Sequence, residues 1–496
     1  MTTTPSRART ARLLLRGMAV VYAIAFVSLA LQVEGLFGSG GILPAAEYLQ
    51  AMEPKLGDAA WRLHPTLFWH DASDAALVGA CWAGAAAAGM LLAGLLPTLA
   101  AAVCWILYFS LFQVGRVFLG FQWDILLLEA GFLAIFLAPL RLRSREGHDP
   151  EPSPVAIWLL RWLLFRLMFA SGAVKLLSGD EVWWNLTALE YHYWTQPLPI
   201  WTAWLVHQLP ALFHRFCVAA MFFIELVVPW AVFGPRRWRL AAFRGLVLLQ
   251  VLIAATGNYT YFNLLTVVLC VSLLDDDALS SLRSRVAPVR EKFAQWPKDA
   301  ARWRKTKMLR LALATTAALP LAVAGGALLV ARLGGGEQLP RPVVALVSAL
   351  QPYHLTSSYG LFSVMTRERR EIVLEGSMDG REWHEYEFRW KPGDVEAAPL
   401  FVAPHQPRLD WQMWFAALGD WRRNAWLVAV QRRLLEGSPT VAALFASDPF
   451  EGRPPRQVRA LLYDYRFTTW TEWRETGAWW TRSLVGPYSP VQSLRK

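Results

Sequence analysis

The chain has 496 residues, of which 55% are hydrophobic and 26 are tryptophan, and its mean hydropathy is +0.29. Apolar runs of about 20 residues recur along it, which excludes a soluble globular protein and predicts a multi-pass α-helical membrane protein. The net charge of +11 lies mostly in short loops between these runs. It therefore indicates orientation in the membrane and does not favour a nucleic-acid partner.

In chain order, nine segments are predicted to span the lipid bilayer. They are residues 13–33, 75–96, 98–115, 121–139, 155–177, 211–233, 240–256, 258–274 and 308–331. Basic residues cluster at the N-terminus, after the fourth and sixth spans, and throughout 275–307. With a cytoplasmic N-terminus, all of these clusters face the cytoplasm, as the positive-inside rule requires. Residues 1–335 then form a transmembrane bundle, and residues 340–496 form a soluble domain outside the cytoplasm.

The tail has the pattern of an α+β domain. The stretch "EIVLEGSMDGREWHEYEFRW" predicts two strands about a Met-Asp-Gly turn, and "VRALLYDYRFT" alternates as a strand. The stretches "RPVVALVSALQPYHL" and "YGLFSVMTR" are further candidates for extended structure. Helices are predicted after Pro407 and in "NAWLVAVQRRLLEG", which Gly437 would end. These elements favour a β-sandwich with inserted helices.

Ionisable residues inside apolar runs predict buried ion pairs. A charge at the centre of a bilayer costs at least about 2.5 kcal/mol, so such side chains should face the bundle interior or the interface. The intramembrane polar network is predicted to contain Asp124, Glu129, Arg161, Arg166, Glu225 and Arg244. One interpretation is that Asp124 and Glu129 pair with Arg166, Arg161 or Arg116 and fix the helix register. The other is a polar cavity that opens outward.

Lys175 is the strongest local candidate for chemistry, in "FASGAVKLLSGDEVWWNLTALEYHYWTQPLP". It would lie at the outer end of the fifth span, above an aromatic belt. It could be a lysine that snorkels to the interface, or a base with a depressed pKa near Glu190 and His192. No nucleophile elbow, zinc-protease, Walker or Rossmann motif is present, and no histidine or cysteine spacing is typical of a metal site. No cofactor or metal is therefore expected.

Two aromatic stretches mark the tail. "APHQPRLDWQMWFAAL" contains His405, Gln406, Arg408, Asp410, Trp411 and Trp414, and "YRFTTWTEWRETGAWW" contains Trp470 and Trp473. The first predicts a helix beginning near Pro407. Its tryptophans could pack in the domain core, or its polar start could contact the membrane bundle or a client protein.

Five stretches in order resemble the lipase maturation factors: "FQWDILLLEAGFLAIFLAP", "SGDEVWWNLTALEYHYWTQPLP", "NYTYFNLLTVVLC" and the two tail stretches above. The resemblance implies a non-enzymatic protein of the endoplasmic reticulum membrane that assists folding of secreted lipases. Its C-terminal domain would engage the client, a lipase or another secreted protein. The Ala/Arg/Trp-rich composition looks bacterial, and a bacterial member would lie in the inner membrane.

A looser resemblance connects "SGAVKLLSGDEVW" to the vitamin K-dependent gamma-carboxylases and their bacterial membrane relatives. It implies a functional lysine at Lys175. The leading hypothesis is a maturation factor that binds a client through its extracytoplasmic domain. The alternative is a membrane-embedded enzyme that uses Lys175 in an outward-facing cavity.

Overall fold

The computed structural model describes residues 6–286 and 300–494, without the side chains of 282–286 and 300–311. The helices up to the middle of the chain are α1 (Ala8–Ala30), α2 (Val33–Phe37), α3 (Ala45–Leu56), α4 (Ala60–Leu63), α5 (Asp74–Leu92), α6 (Pro97–Gly115), α7 (Gln122–Leu137), α8 (Pro154–Leu177), α9 (Glu181–Trp184), α10 (Ala188–Thr195) and α11 (Trp201–His207). Those that follow are α12 (Ala211–Phe222), α13 (Arg236–Ala254), α14 (Phe262–Cys270), α15 (Asp276–Val286), α16 (Ala300–Val330), α17 (Arg341–Leu350), α18 (Arg408–Ala417), α19 (Ala425–Leu435), α20 (Pro439–Ala442) and α21 (Trp470–Thr476). The strands are β1 (Arg369–Ser377), β2 (His384–Tyr386), β3 (Gln457–Phe467) and β4 (Trp480–Gln492).

Six helices among the described residues are long and apolar enough to cross a membrane. They are Ala8–Ala30, Asp74–Leu92, Pro97–Phe118, Pro154–Leu177, Ala211–Phe233 and Ala312–Gln338. Each coincides with one of the nine predicted spans. The multi-pass membrane architecture is therefore confirmed.

Helices also occupy the other three predicted spans, but the count of nine is not confirmed. α7 has 16 residues, about 24 Å of helix, and the apolar helix Phe262–Leu273 is shorter still, against a hydrocarbon core of about 30 Å. α13 has 19 residues, but four of them are arginines. The sequence windows around these helices contain loop residues that extend the apolar run without extending the helix.

The N-terminus and the C-terminal domain lie at opposite ends of α1. At its start, Arg12 Nη2 lies 2.7 Å from Asp149, and Thr10 donates to Asp276 over 2.9 Å. At its other end, Ser28 Oγ lies 2.9 Å from His405 Nδ1. These contacts lie 16 to 18 residues apart along α1, or about 24–27 Å. Asp149 and the start of α15 at Asp276 are therefore at the far end of α1 from the tail.

The tail contains one four-stranded antiparallel sheet in the order β2-β1-β3-β4. The predicted hairpin is confirmed, with Gly376 opposite His384, and the predicted strand near the end of the chain is β3. Helices cover the sheet: Tyr488 of β4 donates to Ala416 O of α18 over 2.7 Å, and Gln431 of α19 donates to Ser489 over 3.0 Å. The predicted β-sandwich is not confirmed, since the part of the tail that the structure describes has helices where a second sheet was expected.

Neither of the two further extended segments predicted in the tail forms a strand, and "YGLFSVMTR" is irregular backbone. "RPVVALVSAL" is the helix α17 and not an extended segment. Its run of β-branched valines favours a strand locally, but its apolar residues also repeat at helical spacing. The predicted helices after Pro407 and in "NAWLVAVQRRLLEG" are α18 and α19, and Gly437 has the positive φ of +70° expected after a helix end.

Candidate functional site

A buried charge cluster joins the first turn of α18 to the membrane bundle. Arg408 of α18 donates to Asp124 of α7 through Nη2 (2.9 Å) and Nη1 (3.1 Å). Tyr108 and Tyr261 donate to the same carboxylate oxygen over 2.5 and 2.8 Å. The Arg408 and Asp124 side chains are 1% and 0% exposed. Burial alone would lower the pKa of Arg408, but Asp124 outweighs it and raises that pKa, so the guanidinium stays charged.

The residues just before α18 bind the end of α1. Gln32 Nε2 donates to Gln406 O over 2.7 Å, its Oε1 accepts from Arg408 N over 3.0 Å, and Ser28 Oγ accepts from Gln406 N over 2.9 Å. His405 contacts Ser28, and burial lowers its pKa to about 4. Of the alternatives left open for this stretch, the structure shows contact with the membrane bundle. Gln406 and Arg408 are buried in this arrangement, whereas His405 is half-buried.

A second buried cluster surrounds Glu129 and uses the segment that precedes the sheet. Glu129 pairs with Arg166 of α8 and accepts from Tyr359 Oη (2.7 Å) and Ser357 N (2.9 Å). Arg166 donates in turn to Ser357 O over 3.0 Å. Residues 355–360 are not helical, yet they reach the middle of α8. Such backbone is tolerated at membrane depth because protein surrounds it.

The remaining ionisable residues of the predicted network do not join these two clusters. Arg161 donates to Ser272 O over 2.7 and 3.0 Å. Glu225 lies in a π-helical turn of the α12 span and accepts from Lys175 Nζ over 2.7 Å. Arg244 is exposed on α13 and is the one member of the predicted set that lies outside the bundle interior. The predicted network is therefore divided into three separate ion pairs, those of Asp124, Glu129 and Glu225, while Arg161 binds a backbone carbonyl and Arg244 is exposed.

Lys175 is buried and paired, so it neither snorkels nor contacts the two residues proposed to act with it. Its ammonium group also donates to Ser171 O over 3.0 Å and lies 5.4 Å from the Trp183 ring centroid. His192 instead contacts Tyr259 Oη over 2.9 Å, and burial followed by the charge of Lys175 lowers the His192 pKa to about 4. Glu190 has a buried carboxylate oxygen without a partner. These three residues do not form a catalytic arrangement.

Asp410 connects α18 to the rim of a cleft in the tail. Its Oδ1 accepts from Trp390 N (2.9 Å) and Lys391 N (3.0 Å). Burial raises the pKa of Asp410 to about 6, although these two donors favour the ionised form. Lys391 Nζ lies 2.9 Å from Glu371, beside Arg369 of the same strand. α18 therefore has one charged residue toward the bundle and another toward the cleft.

The cleft has a volume of about 840 Å³ and lies between β2 and the loop 387–400. The loop is fixed at three points: Ala446 N donates to Glu387 O (2.8 Å), Trp479 N to Val395 O (2.9 Å), and Trp201 N to Pro399 O (3.0 Å). Its cations already have partners, because Arg389 donates to Phe445 O and Ala443 O, and Arg482 pairs with Glu385. The rest of the wall combines aromatic side chains such as Trp390, acidic side chains such as Glu387 and Asp394, and small or aliphatic residues.

The predicted aromatic residues fall into two environments. Trp411 and Trp414 of α18 are buried, and Trp414 Nε1 donates to Thr195 O over 2.8 Å. Trp470 and Trp473 pack on Trp204 with ring centroids 5.6 and 5.7 Å away, and Trp470 stays 43% exposed. α18 is thus a core helix, whereas the aromatic cluster of α21 reaches the surface.

Several residues of these clusters carry no sequence signal. Tyr108, Tyr261 and Tyr359 look like ordinary aromatics in or near apolar runs, yet each donates to a buried carboxylate. Arg369, which donates to Trp194 O and Gln196 O, looks like a polar residue at a strand end. Among the described residues, no group of three His, Cys, Asp or Glu side chains could hold a metal ion.

Comparison with known proteins covers both parts of the chain. Residues 9–281 match the lipase maturation factor transmembrane domain, and residues 355–490 match the lipase maturation factor C-terminal domain. Lipase maturation factor 2 of Homo sapiens is 38% identical over 97% of this chain and 82% of its own length. Lipase maturation factor 2 of Gallus gallus is 39% identical over 99% and 82%, and lipase maturation factor 1 of Mus musculus is 34% identical over 97% and 86%.

No solved structure matches the chain at a significant level. The relatives are named as maturation factors and not as enzymes, in agreement with the expectation of a non-enzymatic protein. Two family matches in the same order, and relatives above 30% identity along nearly the whole chain, leave no other family to consider. The chain belongs to the lipase maturation factor family.

Proposed function

We propose that this protein is a membrane-embedded maturation factor for secreted lipases or similar clients, and that its C-terminal domain engages the client outside the cytoplasm. The observation that carries the proposal is that relatives named for lipase maturation align with 97% of this chain, through both the bundle and the tail. The enzyme alternative is not favoured, because Lys175 is neutralised by Glu225.

Charge supports the proposed orientation. The basic loops after the fourth and sixth predicted spans would lie in the cytoplasm, and the tail lies at the opposite end of α1. To test it, single cysteines at Arg143 and at Ser447, both exposed, are treated with an impermeant thiol reagent on intact cells. Labelling of Ser447→Cys alone is expected, and labelling of Arg143→Cys alone would reverse the orientation.

We further propose that the client contacts the cleft between β2 and the loop 387–400, through an extended segment. Gln406, Arg408 and Asp410 at the polar start of α18 are buried, whereas the cleft is a large concave surface of the tail. Its volume is within the range of about 300–1,000 Å³ that is typical of binding pockets. β2 is also an edge strand, and edge strands present unpaired backbone groups to extended peptides.

The maturation role is tested by producing the full-length protein together with a secreted lipase in a host that lacks a family member. The measured quantity is the activity of secreted lipase per amount of lipase protein, which should rise when this protein is present. An unchanged ratio with several lipases would contradict the maturation role.

The cleft is tested separately with Ala397→Arg, which places a long side chain at an exposed position of the cleft wall. The matched control is Thr471→Arg, at an exposed position of the same domain outside the cleft. Ala397→Arg should lower the lipase ratio to the value without this protein, and Thr471→Arg should not. Equal ratios for the two variants would reject the cleft and leave the maturation role standing.

A further inference from the structure

α17 is an apolar helix whose side chains the rest of the protein does not bury. Eight of its ten residues are apolar, and only Arg341 and Ser348 are polar. None of the ten is buried, and Val344 is 46% exposed. Ten residues give about 15 Å of helix, too short to cross a membrane. A short apolar segment that neither spans nor lies in the core is typical of an interfacial or re-entrant helix.

Both ends of α17 are fixed to membrane spans. Its start follows the span Ala312–Gln338 by two residues. Its end is held at α6, where Gln113 Nε2 donates to Pro352 O over 2.9 Å and the Tyr353 ring stacks on Phe109 at 6.5 Å. Phe109 is nine residues before the end of the span Pro97–Phe118, about 13 Å of helix. The chain of α17 therefore runs from the end of one span to a contact about 13 Å inside the end of another.

We propose that α17 lies in the lipid leaflet nearest the C-terminal domain, with Val344, Ala345 and Ala349 in contact with phospholipid. The partner is lipid because the chain on both sides of α17 contacts or continues membrane spans, and no surface among the described residues covers these side chains. Arg341, exposed at the first position of the helix, reaches the phosphate region.

The position of α17 has a consequence for the buried cluster around Glu129. The chain leaves α17 and supplies Ser357 N and Tyr359 Oη to that carboxylate within nine residues. Lipid contact along α17 therefore holds the start of this segment at the right depth. The helix is a membrane anchor for the connection between the bundle and the C-terminal domain, and this role does not depend on any client.

The test measures collision rates of a nitroxide spin label in the full-length protein in phospholipid nanodiscs. Labels are attached to single cysteines at Val344, Ala345 and Ala349, with the half-buried Cys217 replaced by alanine because the other three native cysteines are buried. Relaxation is compared for oxygen, which concentrates in lipid, and for a water-soluble nickel chelate. Leu319, 72% exposed within the span Ala312–Gln338, is the lipid reference, and exposed Ser447 is the aqueous reference.

The expected result is an oxygen-to-nickel ratio at all three positions that is several-fold above that of Ser447 and close to that of Leu319. A ratio like that of Ser447 would overturn the proposal, and so would low accessibility to both reagents, which indicates a protein cover. Two variants without a spin label give a second measurement. In nanodiscs, Val344→Glu should have a lower melting temperature than Val344→Leu. Equal melting temperatures would also contradict lipid contact.

Discussion

The ion pair between Asp124 and Arg408 should contribute strongly to stability, because neither side chain reaches solvent. Asp124→Asn keeps an oxygen that can accept from Tyr108 and Tyr261, but it leaves the Arg408 charge buried without a counter-charge. Breaking a buried pair in this way costs about 3–5 kcal/mol. With roughly 2 °C per kcal/mol for a large domain, the melting temperature should fall by on the order of 6–10 °C.

The assay follows the thermal exposure of the buried thiols of Cys81, Cys104 and Cys270 with a fluorogenic thiol reagent in detergent. The matched control is Asp420→Asn, which disrupts an Arg–Asp pair whose side chains are 71% and 49% exposed. Exposed pairs contribute about 0–1 kcal/mol, so this variant should melt within about 2 °C of the wild type.

A double variant isolates the interaction between the two charges. Arg408→Gln alone should be as destabilising as Asp124→Asn, because it leaves the carboxylate unpaired. The combined variant leaves neither charge, and it should lose less stability than the sum of the single losses. Additive losses of stability would refute the role of this cluster in joining the bundle to the tail. So would an Asp124→Asn protein with the same melting temperature as the Asp420→Asn control.

Three further outcomes are expected. A Cβ at Gly131 would lie 1.8 Å from Tyr22 Oη, whereas one at Gly79 meets nothing within 4 Å; Gly131→Ala should therefore cost about 1–3 kcal/mol in thermal melts, and Gly79→Ala should not. His192 has a pKa near 4 in the folded protein and about 6.5 in the unfolded chain, so the unfolded chain binds the proton more tightly. The stability that neutral His192 contributes is therefore complete above pH 6.5 and is lost as the pH falls toward 4. At pH 5 the loss is at most about 2 kcal/mol. A wild-type melting curve that drops no more on acidification than that of His192→Phe would contradict this, with exposed His70→Gln as the control. Removal of residues 340–496 should destabilise the bundle itself, and a truncated protein with wild-type detergent stability would show that the two parts fold independently.

Much of the architecture could be predicted from local sequence. The apolar runs identify the six long spans, and the Met-Asp-Gly turn identifies the β1–β2 hairpin. Both signals are contained in one continuous stretch of sequence, so no distant residue is needed to read them. The pairing of Glu129 with Arg166 is among the ion pairs that the sequence predicts, since both residues lie inside apolar runs. The predicted β-sandwich is not confirmed, because strand propensity cannot tell whether a sheet is covered by a second sheet or by helices.

The partner of Asp124 could not be predicted. Arg408 is 284 residues away in a polar stretch, and nothing in either local pattern refers to the other. The roles of Tyr261 and Tyr359 could not be predicted either, because a tyrosine in an apolar context is more often a packing residue than a donor to a carboxylate. The cleft of the tail also depends on backbone contacts that fix the loop 387–400, and backbone contacts have no side-chain signature.

The distance along the chain between Asp124 and Arg408 also sets a schedule for biosynthesis. At about 5–20 residues per second, the ribosome adds the arginine roughly 15–60 s after the aspartate. During that interval α7 must be inserted with an acidic group that still lacks its counter-ion, and residues 355–360 have not yet filled the space beside Glu129. The two buried clusters can be completed only after the tail has been synthesised and has packed onto the bundle. A stalled or truncated nascent chain therefore leaves Asp124 without Arg408, and Glu129 without Ser357 and Tyr359, inside the apolar bundle.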